Sequence, residues 1–134
     1  MTAPDLLPAT RRTIPEVLVD ARARLDRISP RQAYAEQVAG AVLTDIRTTE
    51  QRYLEGGVSS AAAIERNVLE WRLDPASDSR LWFAHYDLRA IVLCSQAYTS
   101  SLAAAALHDL GLRRATDVIG GFHAWKDAGL PLTA

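Results

Sequence analysis

Cysteine occurs once in this 134-residue chain, at position 94, and it stands where apolar residues give way to small polar ones. Ala90-Ile91-Val92-Leu93 precede it, and Ser95-Gln96-Ala97-Tyr98-Thr99-Ser100 follow. The apolar run reads as a buried strand, and the alanine-rich stretch from Ser100 to Leu110, closed by Gly111, as a helix. A thiol at such a junction meets the start of a helix, whose first-turn N–H groups have no intrahelical partner. With Thr99 or Ser100 as cap, those groups are free to point into the loop. Curled backbone amides make an anion site that stabilises a thiolate, a persulfide or a sulfur oxyanion. Free cysteine is also among the most buried residue types. Residue type and placement therefore leave two roles open for Cys94, core thiol and nucleophile.

Few other residues compete for chemistry. A single cysteine excludes an intramolecular disulfide and any metal site built from several thiolates. His85, His108 and His123 lack metal-ligand spacing and an evident carboxylate partner, so they read as surface or structural, with His108 beside the core and no metal or cofactor expected. Arg47 follows the apolar run that ends at Asp45-Ile46, so it is expected to face the same side as Cys94. Arg66-Asn67 and Glu70-Trp71-Arg72 form a polar-aromatic cluster. A pocket wall or partner surface would use these types, but a helix cap at Asn67 beside a half-buried Trp71 accounts for them more simply.

The elements that must position these groups follow from local signals. Residues 1–12 read as a flexible tail and 13–134 as one domain. Thr13-Ile14-Pro15-Glu16 has the form of a capping box, followed by Val17, Ala21 and Leu25 at helical spacing. Ser29-Pro30 opens a second helix that stops at Gly40. Ala41 to Ile46 reads as a strand, Thr48 to Leu54 as a short helix, and Glu55 to Ser60 as a loop. Ala61 to Ile64 is a weak strand signal, Asn67 to Leu73 a capped helical turn, and 74–80 a polar linker. Ala115 to Ile119 reads as the last strand and Phe122 to Ala128 as the last helix, closed by Gly129 and Pro131. Strands alternating with helices predict an α/β fold, a parallel sheet with helices on both faces. Ligands in such sheets bind beyond the carboxyl ends of strands, which is where Cys94 lies.

Composition narrows the partners. A formal net charge of -1 argues against nucleic-acid binding, which needs a basic face. No apolar run approaches the roughly 20 residues of a membrane span, and Leu6-Leu7 alone is too short for a signal-peptide core. A lone thiol suits a reducing compartment, so a soluble cytoplasmic protein is expected.

Across roughly Pro30 to Pro131 the sequence resembles the rhodanese family. Gly40-Ala41-Val42-Leu43-Thr44-Asp45-Ile46-Arg47 is similar to the family's first core strand and its Asp-x-Arg ending. A strand ending in Cys94, then Ser100, Ala103-Ala104, Leu107 and Leu110-Gly111, fits the pattern around its active loop. Asp117-Val118-Ile119-Gly120-Gly121, Trp125 and Gly129-Leu130-Pro131 look like its closing signature. The resemblance implies a parallel five-stranded sheet flanked by helices and a two-step sulfurtransferase mechanism. The Cys94 thiolate takes sulfur from a small donor as a persulfide, and cyanide, a thiol or a protein then removes it. It also implies a donor-binding role for Arg47, for Arg52, which lies near a second arginine of two-domain members, and for Asp45 as a positioning group. The competing function is a rhodanese-like module that carries sulfur, or binds a partner, without turnover.

Departures from the pattern carry information. Ala97 stands where many members have glycine, and Thr99 where many have arginine. Gly56-Gly57-Val58-Ser59-Ser60-Ala61 replaces Gly-His-Ile-Pro-Gly-Ala. Phosphatases and arsenate reductases of related fold have a loop longer than the six residues from Cys94 to Thr99, with an essential arginine. Ser95 and Gln96 are neutral, whereas thiosulfate-preferring loops supply bases. Losing a charged donor costs about 1.5–3 kcal/mol, one to two orders of magnitude in binding. The neutral loop therefore favours an organic donor, 3-mercaptopyruvate or a low-molecular-weight persulfide, over thiosulfate. Oligomeric state is not legible.

Overall fold

The computed structural model describes residues 10–133. Residues 1–9 of the expected tail lie outside the described residues, and Arg12 within it ion-pairs with Asp20. Helix α1 (Ile14–Ala23) begins with the predicted capping box: the Thr13 hydroxyl accepts from the Glu16 N–H, and the Glu16 carboxylate accepts from the Thr13 N–H. Ser29 caps α2 (Pro30–Val38), and Thr48 with Gln51 caps α3 (Thr49–Glu55).

Four parallel strands, β1 (Val42–Asp45), β2 (Ala62–Ala63), β3 (Ala90–Leu93) and β4 (Thr116–Asp117), form one sheet in the order β2-β1-β3-β4. The family resemblance implies five. At the β4 edge the fifth is reduced to one parallel bridge, Ile28 to Val118, with the Ile28 N–H on the Asp117 carbonyl and the Ile119 N–H on the Ile28 carbonyl. Ser29 and Pro30 turn the chain into α2 directly afterwards, and proline has no N–H to extend a ladder.

β3 is buried along its whole length, and its pleat sorts side chains between two cores. Ile91 and Leu93 join Ala33, Leu43, Val118, Phe122 and Trp125 beneath α2 and α6 (Gly121–Asp127). Ala90, Val92 and Cys94 join Leu69, Leu73, Ala103, Ala104 and Leu107 beneath α4 (Leu69–Leu73) and α5 (Thr99–Asp109). Alternation of period two thus puts Cys94 on the α5 side. A short 3-10 turn (Arg66–Val68) leads into α4, and no side chain caps either one. Asn67 is therefore not the expected cap. Leu69 and Leu73, one turn apart, are fully buried, while Trp71 between them points away and is 61% exposed rather than half-buried. No helix among the described residues is long and apolar enough to cross a membrane.

Candidate active site

Cys94 follows the last residue of β3 and is 8% exposed. The Ser100 N–H, in the first turn of α5, donates to its Sγ at 3.3 Å. The loop between them is bent by contacts from outside. The first N–H groups of α6 reach its carbonyls: Phe122 N–H to Cys94 O at 2.8 Å and His123 N–H to Ser95 O at 3.1 Å. This approach needs glycine at 121, where a Cβ would lie 2.5 Å from Cys94 O, 2.8 Å from Ser95 O and 2.9 Å from Ala97 N. Carbonyls drawn to α6 on one side leave the Ser100 amide for the thiol on the other.

Ala97, buried in the bend, has φ +70°. Ser60 has φ +62°, and these two are the non-glycine residues with positive φ among the described residues. Both stand where the sequence departs from a family glycine. The left-handed turn is kept there without the residue that adopts it freely. Arg22, on α1, braces the bend. Its Nη2 donates to Ala97 O at 2.7 Å, its Nε donates to Ser101 Oγ at 3.1 Å, and its guanidinium carbon lies 5.9 Å from the Tyr98 ring centroid.

The start of α5 differs from expectation. Tyr98 is the N-cap and makes no side-chain capping bond, so neither Thr99 nor Ser100 caps the helix. The hydroxyls of Ser100 and Ser101 donate instead to Asp117 Oδ2 at 2.8 and 2.7 Å. Asp117 is fully buried and also takes Arg27 Nε and Nη2 at 2.8 and 3.3 Å. Arg22, Arg27 and Asp117 support the loop, and nothing local in the sequence marks them as doing so: the two arginines meet partners 75 to 90 positions away, and Asp117 meets Ser101 and Ser100 at 16 and 17.

A cleft of about 520 Å³ opens beside Cys94. Ser95, Gln96, Tyr98 and Thr99 line it from the loop, whereas Ala97 and Ser100 are buried behind. The facing wall comes from Thr48 and Gln51 of the α3 start and from Glu65, Arg66 and Asn67. Arg66 and Asn67 thus form the pocket wall that the sequence reading ranked second. Arg66 Nη1 donates to Glu70 at 2.6 Å.

Arg47 also borders the cleft, but its side chain is buried on the α6 side of the sheet. Its Nε and Nη2 bind Asp45 Oδ1 and Oδ2 at 3.0 and 2.7 Å, Nη1 lies 3.4 Å from Glu55, and the guanidinium carbon lies 4.0 Å from the Phe122 ring centroid. Asp45 is correspondingly committed to Arg47, including its backbone N–H at 3.1 Å. Arg52 lines neighbouring hollows rather than this cleft, with Nη1 on the Arg47 carbonyl at 2.9 Å. The sequence brings Asp45, Arg47 and Cys94 to one end of the sheet. The pleat separates the arginine from the thiol. Glu55 accepts from Ser95 Oγ at 2.8 Å and lies 3.6 Å from His123 Nε2. His108 Nε2 is 2.7 Å from Ala115 O.

Comparison with known proteins identifies the fold and the family. The rhodanese-like domain family matches residues 29–128. The thiosulfate sulfurtransferases GlpE of Pseudomonas entomophila and Stutzerimonas stutzeri are each 31% identical over 100 residues, 75% of this chain and 84% of the relative. A Rhodopseudomonas palustris protein of unknown function, described as a possible tyrosine phosphatase, superposes with TM-score 0.84 at 27% identity, covering 98% of this chain and 100% of that one. The polysulfide-sulfur transferase of Wolinella succinogenes shares the fold, with TM-score 0.68 at 21% identity over 87% of this chain and 84% of that one. By domain match, sequence relatives and architecture, this chain belongs to the rhodanese-like domain family.

Proposed function

We propose that this protein is a sulfurtransferase that carries sulfane sulfur as a persulfide on Cys94. The observation that carries the proposal is the Ser100 N–H directed at Cys94 Sγ at 3.3 Å beside an open cleft. An amide at a helix start donates to negative charge on sulfur, and can serve in that way the charge that develops on Cys94 as a leaving group or on the terminal sulfur of its persulfide.

In the first half-reaction the thiolate attacks the donor's outer sulfur. With 3-mercaptopyruvate the C–S bond breaks, and pyruvate leaves as its enolate and takes up a proton. With a small persulfide R–S–SH the S–S bond breaks and RS⁻ leaves. In the second, cyanide or an acceptor thiolate attacks the outer sulfur of the Cys94 persulfide, and the Cys94 thiolate is the leaving group. No external redox partner is needed: a small persulfide passes on sulfane sulfur at one oxidation level, and with 3-mercaptopyruvate the two electrons given up by the thiol sulfur stay with the carbon that becomes the methyl group of pyruvate. The donors favoured are 3-mercaptopyruvate and low-molecular-weight persulfides, since Ser95 and Gln96 give the cleft no cation from the loop. The same lack opposes phosphate-monoester chemistry, whose dianion needs one. Arg47 and Asp45 serve as positioning residues, since their charged groups are bonded to one another.

Thiocyanate formation from donor and cyanide tests the proposal, with Cys94→Ser as control. Activity that survives Cys94→Ser overturns it. Absence of turnover in the wild type, with a gain of one sulfur atom on Cys94 after incubation with a cysteine desulfurase and cysteine, would identify a sulfur carrier without turnover.

A further inference from the structure

The charges around the cleft are unevenly placed, and their placement bears on the donor. Ser95, next to the nucleophile, directs its hydroxyl at Glu55, 2.8 Å from Oε1 and 3.1 Å from Oε2. A serine has one hydroxyl hydrogen. With that hydrogen on Glu55, Ser95 shows the cleft only lone pairs. Glu55 in turn shares one guanidinium with Asp45: Arg47 is bidentate on Asp45 at 3.0 and 2.7 Å and reaches Glu55 at 3.4 Å. Two carboxylates thus stand against one buried arginine, leaving an excess negative charge under the first residue of the loop.

The opposite wall does not offset it. Arg66 is bound to Glu70 at 2.6 Å, and Glu65 lies beside it with its carboxylate on Thr49. Arg52 is turned to adjacent hollows, and His123, half-exposed, lies 3.6 Å from Glu55 and does not line the cleft. A compact dianion must bring its charge to Cys94 together with the sulfur to be transferred, and so meets the lone pairs of the Ser95 hydroxyl and, through them, the field of the Glu55 carboxylate bonded to it. A donor with one charge, placed away from its sulfur, avoids both.

Granting sulfur transfer at Cys94, on which this inference rests, we propose that Glu55 is a specificity-determining residue. Through Ser95 it bars compact dianions from the nucleophile and directs the site to donors such as 3-mercaptopyruvate and the protonated form, R–S–SH, of small persulfides.

Alkylation of Cys94 tests this without requiring turnover. The ratio of the iodoacetate to the iodoacetamide rate compares an anion with a neutral molecule of the same shape at the same sulfur. Glu55→Gln keeps an acceptor for Ser95 and removes the charge. It should raise that ratio at least about fivefold, the scale of one charge–charge interaction at about 4 Å in water. The kcat/KM for thiosulfate relative to 3-mercaptopyruvate should rise with it. In the wild type the alkylation ratio should also climb with added salt, as the repulsion is screened, which gives a test should the variant fold poorly. An alkylation ratio unchanged by Glu55→Gln, or flat with salt in the wild type, overturns the role of Glu55. A wild type that transfers sulfur from no donor overturns the sulfurtransferase proposal instead, while the alkylation ratio still reports on Glu55.

Discussion

Arg22 donates through Nη2 to the carbonyl of Ala97 at 2.7 Å, so a side chain of the N-terminal helix braces the strained turn of the cysteine loop. The residues matched by the family begin at 29, seven positions further on. Helix α1 thus lies outside the matched residues and still reaches the loop. Removing the guanidinium in Arg22→Ala should cost about 1.5–3 kcal/mol, the range for a hydrogen bond from a charged group. Urea unfolding measures the loss. A shift below about 0.5 kcal/mol would show the contact to be passive.

Ala97→Gly should act in the opposite sense. A left-handed alanine costs about 1–2 kcal/mol, and glycine returns about 0.5–1 kcal/mol of that through its freer unfolded chain. A net gain of up to about 1 kcal/mol is expected, read as a higher denaturation midpoint at constant slope. Combined with Arg22→Ala, the cycle should be non-additive, since the two groups touch.

Gly121→Ala should be among the most damaging single-methyl additions in the protein. Its Cβ would meet Cys94 O, Ser95 O and Ala97 N, all backbone atoms with little room to yield. Left-handed strain and overpacking together predict a loss of about 2–5 kcal/mol. Should the variant fold, displaced loop amides should slow Cys94 alkylation by iodoacetamide. Wild-type stability and reactivity in Gly121→Ala would contradict the packing described.

Arg47→Met should destabilise by about 3–5 kcal/mol, because it strands Asp45 without its buried counter-charge. Arg47→Met with Asp45→Leu should recover much of that loss. If both residues only position the loop, donor KM in the stable double variant should change little. A large rise in KM with kcat preserved would restore Arg47 as a donor-binding group.

Glu36 supplies a pH-dependent contribution far from the cleft. The Arg89 guanidinium at 2.8 Å, with help from Gln32, holds its carboxyl below the ordinary value of 4.5. A carboxyl whose pKa is lower in the folded state stabilises fully above its unfolded value, and the contribution is lost as pH falls through the folded one. The stability difference between wild type and Glu36→Gln should therefore be constant near neutrality and shrink as pH drops below about 4.5. A difference that persists undiminished in acid would assign it to packing rather than charge.

Local signals in the sequence determine the element order, because caps, prolines and glycine stops act within a few residues: Thr13 with Glu16, Ser29 with Pro30, Thr48 with Gln51. They also make Ala90 to Leu93 a strand and put Cys94 at its end, since an all-apolar run leading into small polar residues has few other uses. The family pattern marks Ala97 as standing where many members have glycine, and the backbone there is left-handed at φ +70°.

Tertiary structure decided what Cys94 has around it. The pleat sends Arg47 to the Phe122 side of the sheet, away from the thiol, a choice of face that a residue name does not carry. Arg22, Asp117, Gly121 and Glu55 reach the loop from other elements, and Arg66 and Asn67 become a wall of the cleft only when the sheet assembles. Hydrogen bonds and charges act over a few ångströms of space, whereas sequence patterns report on a few residues of chain. A lone cysteine at a strand end was therefore legible in the sequence, while the groups that brace and charge its surroundings appeared only in the fold.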